Sequence, residues 1–479
     1  MKSVGSNVRS LTIAIAIAFL MTSVGVGYWT MVASADLGSD PFNPRLVSAI
    51  RDRPRGKIIE ADGTVLAESV KTADGYTRRY TDRSLAQVVG YASFKYGASG
   101  IEAAYADSLV GQDPADPLST WRARYLNERE EPGSVVLTIV SKVQKAALDA
   151  LAATGKKGAI VALDPRTGAI LASVSLPNYD ATAIADPATE DVAWQQVNGD
   201  QGKPLIDRAR SGLYPPGSTV KTITGAAALE TGVNPDTKVR VDDPWQADKS
   251  WGTYFVRSSS QAHGDYTMAD AYRLSENIYF AKIGLQIGGP KIAEYASRFG
   301  IGAAPKCDIP AAKGQLSNTG TLDRPTLVAD TAYGQGELLV SPLQMALAVA
   351  AIGRGGIVPT PHYAQEVRDS AGNIIRTIAP GASGQVVNPA TAAKIRDYLV
   401  GAVEGPGAFA FGAKISGVHV AGKTGTAENP AGPPHGWFVG FAPAENPTVA
   451  VAVIIENAGQ GGVDAAPLGG KVMQAALAR

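Results

Sequence analysis

The sequence predicts an α+β protein held on a single membrane anchor, and three observations carry that prediction. Strand-like apolar runs stand at 158–174 and again at 436–442 and 449–455. The residues between these runs read as mainly helical. One long uncharged apolar segment lies near the N-terminus. Strands on either side of a helical interior have to meet in one antiparallel sheet assembled from distant segments, with the helices packed on it.

Composition sets the frame. At 479 residues and 45% hydrophobic content, the chain can form two or three domains around a substantial core. Its formal net charge is zero, which argues against nucleic acid as a partner. A single cysteine, Cys307, allows no intramolecular disulfide. The four histidines (His263, His362, His419 and His435) show no metal-ligand spacing, so neither a metal nor another cofactor is expected.

Arg9 and Asp36 bracket the uncharged segment, which includes the apolar run 11–21. A transmembrane helix needs about 20 such residues, whereas the apolar region of a cleavable signal is about 7–15 long. Tyr28 and Trp29 suit the far interface, and Lys2 and Arg9 the near one. Residues 1–10 are therefore expected in the cytoplasm, 11–33 in the membrane, and everything after them exported. Ala33-Ser34-Ala35 has the form of a signal-peptidase site, but the length of the span favours an uncleaved anchor.

Residues 34–153 read as a separate mixed module, a pedestal. Within it, 53–67 looks like two short strands around an Asp62-Gly63 hairpin turn. A helical pattern near 100–105 ends at Gly111, and Gln112 to Ser134, rich in Asp, Pro, Glu and Arg, reads as exposed connections. No cluster here points to chemistry, which leaves a spacer or docking surface. The run 135–139 is strand-like, and 141–153 is helical with an apolar stripe. The second domain, 154–479, opens with the buried hairpin 158–174 and closes with a helical tail from Gly470.

Chemistry concentrates in three short stretches of that domain. Tyr214-Pro215-Pro216-Gly217 stops any preceding structure, and a helix-compatible run, 218–230, follows with Gly232 as its C-cap. Residues three apart share a helical face, so Ser218 and Lys221 stand side by side in the first turn. Free backbone N–H groups and the positive end of the dipole there favour a developing anion. A serine needs a base to become a nucleophile, and a lysine serves if burial or a nearby cation keeps it neutral. Alone, Ser-x-x-Lys is a weak signal, because a serine at a helix start is ordinarily a cap. Ser275-Glu276-Asn277 and Lys423-Thr424-Gly425-Thr426 follow downstream. Each is weak by itself; the ordered set is specific to one group of serine acyltransferases and β-lactamases.

With these motifs in order, the sequence resembles the class B penicillin-binding proteins, monofunctional D,D-transpeptidases that cross-link peptidoglycan. The resemblance spans nearly the whole chain. It takes in the anchor, Arg55-Gly56-Lys57-Ile58 with its Asp-Gly turn, Gly100-Ile101-Glu102 with Tyr105, and the stretches 334–345 and 436–443. The anchor-proximal part is most similar to the actinobacterial penicillin-binding protein A group. The implied fold is α+β, the serine-transpeptidase fold: an antiparallel sheet flanked by helices plus an all-helical subdomain, preceded by the pedestal and one transmembrane helix.

The resemblance also implies roles. Ser218 would attack the carbonyl between two terminal D-alanines of a donor stem peptide, and an amine of a neighbouring stem peptide would take the acyl group. Lys221 would accept the serine proton, Ser275 would relay a proton to the leaving amine, and Asn277 would position Lys221 and the substrate amide. Lys423 and Thr424 would hold the terminal carboxylate. Backbone N–H groups of Ser218 and Thr426 would form the oxyanion hole, with Gly425 letting the strand approach. β-Lactams mimic the D-Ala-D-Ala end and would acylate Ser218. Glu276 lies within the family's tolerance at the middle position, though it adds a carboxylate near a cation-rich site. The implied partners are stem peptides, β-lactams, the cell membrane and, as no glycosyltransferase segment precedes the transpeptidase, a SEDS-type glycosyltransferase docked through the anchor and pedestal.

Other readings fit less well. Residues 417–424 match the Walker A pattern, yet a P-loop must follow a strand and open a helix, and Gly425, Pro430, Gly432, Pro433 and Pro434 forbid one. A serine β-lactamase would need a deacylating base between the second and third motifs, and no Glu-x-x-Leu-Asn segment stands there. A D,D-carboxypeptidase or a β-lactam-binding sensor would carry the same motifs. Gly334-x-Gly336 reads as a loop, His435 as a loop or strand-end residue, Trp437, Phe438 and Phe441 as sheet packing, and Cys307 as a small buried side chain.

Overall fold

Helix formation begins at once: Val4–Met31 is a single helix, and Val8–Tyr28 within it is long and apolar enough to cross a membrane. None of that segment is buried against the rest of the protein, as suits a helix whose side chains face lipid. It fits a single-pass membrane protein. The computed structural model describes residues 4–31, 53–73, 75–111, 131–430 and 432–479. Lys2, Asp36, Ala33-Ser34-Ala35 and the stretch 112–130 lie outside the described residues, as does the side chain of Trp29.

The pedestal is built on a six-stranded sheet in the order Ile374–Thr377, Ala364–Arg368, Ser134–Leu137, Ile58–Glu60, Val65–Thr72, Gly75–Tyr80. Ile58–Glu60 pairs antiparallel with Val65–Thr72 through the expected turn, where Gly63 has φ +89° and Asp62 Oδ1 accepts from the Thr64 N–H. On its other side it runs parallel to Ser134–Leu137. The helical pattern after Gly100 resolves into Gly100–Ala104 and Ala106–Leu109. Glu102 is fully buried between Arg55 and Arg78, whose Nε atoms lie 2.5 and 2.6 Å from its two oxygens, and the Tyr80 hydroxyl donates to it at 3.1 Å. Burial works to raise the Glu102 pKa, but the two guanidiniums outweigh it and hold the carboxyl below its usual range.

Two findings cut across the boundary expected between residues 153 and 154. The last two strands of the pedestal sheet come from 364–377, far along the chain. Conversely, helix Ser141–Ala152 buries Val143, Ala147 and Leu151 in the core of the second domain, because its apolar stripe faces that sheet.

The second domain has a five-stranded antiparallel sheet in the order Ala421–Asn429, Gly432–Ala442, Val449–Ile455, Gly158–Leu163, Ile170–Leu176. Val449–Ile455 is an unbroken apolar run because both faces are covered. Ala450, Ala452 and Ile454 join the core shared with helix Pro342–Gly353. Val449, Val451, Val453 and Ile455 join the other, under Ser141–Ala152 and the closing helix Ala466–Leu477. Helix Pro342–Gly353 starts with a capping box between Ser341 and Gln344 and has proline in its first turn. A helical part beside the sheet comprises Lys221–Glu230, Met268–Arg273, Asn277–Ile287, Gly289–Arg298 and Pro325–Tyr333.

Candidate active site

The three motifs meet at the junction of the sheet and the helical part. The first does not open directly as an α-helix, as the spacing alone would have it. Gly217–Val220 is a 3-10 turn, and the α-helix Lys221–Glu230 follows. Gly217 has φ +53°, and a Cβ there would stand 2.8 Å from the Thr426 carbonyl oxygen, so only glycine fits. Its N–H donates to the Gly334 carbonyl at 2.8 Å, and the buried Trp437 indole donates to the Pro215 carbonyl at 2.9 Å. Ser218 is thereby held, buried, at the base of the cleft.

Lys221 is completely buried. Its Nζ donates to the Ser275 carbonyl and to Asn277 Oδ1, both at 2.7 Å. Asn277 is fixed in turn, its Nδ2 donating to the Arg257 carbonyl at 3.0 Å. Desolvation, and then the charge of Lys423, push the Lys221 amine well below its ordinary pKa. Lys423 is equally buried, and desolvation brings it down to about 7. Its Nζ donates to Ser275 Oγ at 2.7 Å and to its neighbour's carbonyl, that of Thr424, at 3.2 Å. Ser275 thus bridges the two lysines, carbonyl to one and hydroxyl to the other. To do so it adopts φ +54°, a left-handed conformation that a non-glycine residue takes only where surroundings enforce it.

The third motif lies on the edge strand Ala421–Asn429. A Cβ on Gly425 would come within 2.8 Å of the Pro216 carbonyl, so the strand lies directly against the turn carrying Ser218. Alternation along the strand sends Thr424 and Thr426 into the same cleft as Ser218, Ser275 and Asn277. The cleft encloses about 1090 Å³. All eight residues singled out by sequence (Ser218, Lys221, Ser275, Asn277, Lys423, Thr424, Gly425 and Thr426) come together here. Among the described residues no group of histidine, cysteine, aspartate or glutamate could hold a metal ion.

Glu276 does bring a carboxylate to the site as expected, while its burial and the other contributors were not legible. Glu276 is fully buried, accepting from the Ile278 N–H at 3.0 Å as a helix cap and from the Ser258 hydroxyl at 2.5 Å. Ser259 Oγ donates to the Ser275 carbonyl at 3.0 Å. Across the cleft, Tyr254 and Tyr333 both donate to Asp330 Oδ1, and burial raises the Asp330 pKa. The serine run 258–260 and an aspartate inside a helix carry no distinctive pattern that would have marked them. His435 lies in strand Gly432–Ala442, its Nδ1 accepting from the Asn457 N–H at 3.1 Å. Trp437, Phe438 and Phe441 are core side chains, and Cys307 is half-buried rather than buried. The Walker-like stretch runs into strand Ala421–Asn429 and opens no helix.

A buried serine at a helix start, a buried lysine three residues on whose pKa is pushed down, and a second lysine on the adjoining edge strand define an acyl-transferring serine enzyme with a lysine base. A family model, the penicillin-binding protein transpeptidase domain, matches residues 158–474, and the penicillin-binding protein A dimerisation domain matches 55–136. The chain belongs to the penicillin-binding protein transpeptidases, class B. It is 34% identical to the peptidoglycan D,D-transpeptidase PbpA of Mycolicibacterium smegmatis, over 98% of this chain and 99% of the relative. It is 32% identical to the D,D-transpeptidase MrdA of Haemophilus influenzae, over 79% of this chain and 62% of that protein. Among solved structures, the ceftriaxone acyl-enzyme of penicillin-binding protein A from M. tuberculosis superposes with TM-score 0.83 at 32% identity, covering 90% of this chain and all of that one. Peptidoglycan as substrate and β-lactam binding fit that family.

Proposed function

We propose that this protein is a peptidoglycan D,D-transpeptidase that cross-links stem peptides through an acyl-enzyme on Ser218. The observation that carries this is the complete burial of Lys221 with two acceptors on its amine, a setting that favours the neutral form. A neutral amine has two protons to donate, and Lys221 directs both of its donor bonds at Ser275 and Asn277. Its lone pair is then left for the Ser218 proton, which a serine must lose to attack.

In the first step Ser218 Oγ bonds to the carbonyl carbon between the two terminal D-alanines while its proton passes to Lys221. The peptide C–N bond then breaks, and the leaving amine takes a proton from Ser275 Oγ, which Lys423 Nζ, its hydrogen-bond donor, resupplies. Lys423 and Thr424 hold the terminal carboxylate, where a cation and a hydroxyl can both serve an anion. The N–H groups of Ser218 and Thr426 stabilise the oxyanion. An amine of a second stem peptide then attacks the ester carbonyl and passes its proton through Ser275 to Lys423, while the C–O bond to Ser218 breaks and Lys221 returns the proton to Ser218 Oγ. Asn277 positions Lys221 and the substrate amide, and Gly425 lets the strand lie close.

The same proposal covers placement. Residues 1–10 are cytoplasmic, 11–33 span the membrane, and the pedestal and transpeptidase domain stand outside it. The pedestal ends near 137, since helix Ser141–Ala152 packs with the transpeptidase core. A SEDS-type glycosyltransferase docks on the anchor and pedestal; co-purification that survives loss of both regions would sink that part. The test of the main reading is fluorescent-penicillin labelling of the detergent-solubilised chain and of Ser218→Ala. Label on the parent, slow to leave and absent from the variant, is the expected result. A well-folded parent that takes no label would refute it.

A further inference from the structure

We infer that Glu276 is a positioning residue for this reaction, whose buried carboxylate holds the Lys221–Lys423 pair at one shared proton. The inference rests on the reading that Lys221 takes the Ser218 proton. Glu276 sits between Ser275 and Asn277, the two residues that contact the lysines, and is wholly shielded from water. Both its oxygens act as acceptors. Oε1 takes the Ile278 N–H, and Oε2 takes the Ser258 hydroxyl proton. Ser258 Oγ itself accepts from the N–H groups of Ser260 and Ala262 at 3.1 and 3.0 Å, and of its two remaining oxygen neighbours Glu276 Oε2 at 2.5 Å is much nearer than Ser260 Oγ at 3.4 Å. Its hydrogen therefore points to Glu276.

These donors are neutral, so the carboxylate charge is left to be balanced at longer range. Lys221 Nζ bonds the residues on either side of Glu276 and Lys423 Nζ bonds Ser275, so the carboxylate lies in the same buried cluster, where its charge opposes that of Lys423 at Lys221. Tyr272, from helix Met268–Arg273, donates its hydroxyl to the Lys221 backbone carbonyl, and the Phe280 ring 5.4 Å from Nζ is uncharged. On the loop side, Arg257 offers Asn277 its carbonyl, and Asp243 accepts the Ser258 N–H at 2.7 Å.

Two ammonium groups buried together without a counter-charge would both give up their protons. One fixed carboxylate retains one proton on the pair. That is the state the chemistry requires: a free base facing Ser218 and a cation facing the substrate carboxylate. The two sites titrate as a unit, and the carboxylate sets where that unit lies on the pH scale.

The test is the pH dependence of penicillin acylation in the detergent-solubilised full chain, comparing the parent with Glu276→Gln and Glu276→Asp. The glutamine keeps the cap acceptor and the shape but loses the charge. Its whole bell should move to lower pH by about one unit, while the aspartate variant keeps the bell in place even if its rate falls. A glutamine bell coincident with the parent's, or an aspartate bell displaced with it, would overturn the inference. Label on Ser218→Ala would instead sink the reading beneath it. Should the glutamine variant not fold, lysine side-chain NMR on the parent still decides. At the pH of fastest acylation one of the two buried lysines should be charged, and finding both charged or both neutral would refute the role.

Discussion

Replacing Lys423 by methionine should make the protein more stable and less active at once. In the folded chain burial brings the Lys423 amine from its ordinary 10.5 to about 7. Each pH unit of difference is worth roughly 1.4 kcal/mol. Keeping this side chain inside at neutral pH therefore costs about 4–5 kcal/mol, calculated from that fall. Methionine is of similar length, carries no charge and removes the cost. Against that, the bonds to Ser275 Oγ and the Thr424 carbonyl are lost, at about 1 kcal/mol each. A net gain of about 2–3 kcal/mol near pH 7 remains, which should raise the melting temperature by several degrees. The pH dependence identifies the cause. The unfolded lysine stays protonated up to its ordinary value while the folded one releases its proton near 7, so between about 7 and 10.5 the unfolded state binds more protons. Parent stability thus rises with pH across that window, and the penalty is present in full below it. The variant lacks the Lys423 share of this dependence, so its advantage should be largest at and below neutral pH and shrink toward alkaline pH. Thermal melts of both proteins across the window, with penicillin labelling alongside, read the two effects. A stability gap that does not change with pH, or a variant less stable than the parent in mild acid, would refute the reasoning.

Gly217→Ala should lower the acylation rate by about 10- to 100-fold, because the left-handed turn and the 2.8 Å approach to the Thr426 carbonyl leave no room for a methyl; an unchanged labelling rate would show that the turn can shift freely. Asn277→Ala removes one of the acceptors that fix Lys221 and should cost roughly 10²-fold in acylation with little change in melting temperature. In the pedestal, Glu102→Ala strands two buried guanidiniums and should cost about 3–5 kcal/mol of stability. The folded fraction of that variant should still take penicillin at the parental rate, and loss of labelling in folded protein would mean the two sheets are coupled.

Most of the sheet and all the motif residues were legible because their signals are local. Val449–Ile455 is a continuous apolar run, and such a run means a strand covered on both faces. The motifs announce themselves by order and spacing, which do not depend on the fold. What was illegible depends on partners distant in sequence. Strands Ala364–Arg368 and Ile374–Thr377 complete the pedestal sheet, and nothing in their own residues names Ser134–Leu137 as the neighbour. That Glu276 brings a carboxylate near a cation-rich site is legible, but its burial and its bond to Ser258 depend on the loop at 257–262. The Ser218 helix was placed correctly, but its first turn is 3-10 because Gly217 enters it with positive φ.

The residues gathered at the site are also the destabilising ones, and that coincidence has a physical reason. Two buried lysines, a serine at φ +54° and a buried carboxylate paired with neutral donors each raise the free energy of the fold. No local preference would place them together, and the motif that names them does not by itself disclose the burial and strain they are held in. They persist because the segments that hold them are over-determined elsewhere. Trp437 anchors the Ser218 turn from within a fully covered strand, and Glu276 caps a helix whose Tyr279 and Phe280 are completely buried. The sheet and helices therefore offset a local cost that the reaction needs, since a lysine left in water at neutral pH would hold its proton and could not take one from Ser218.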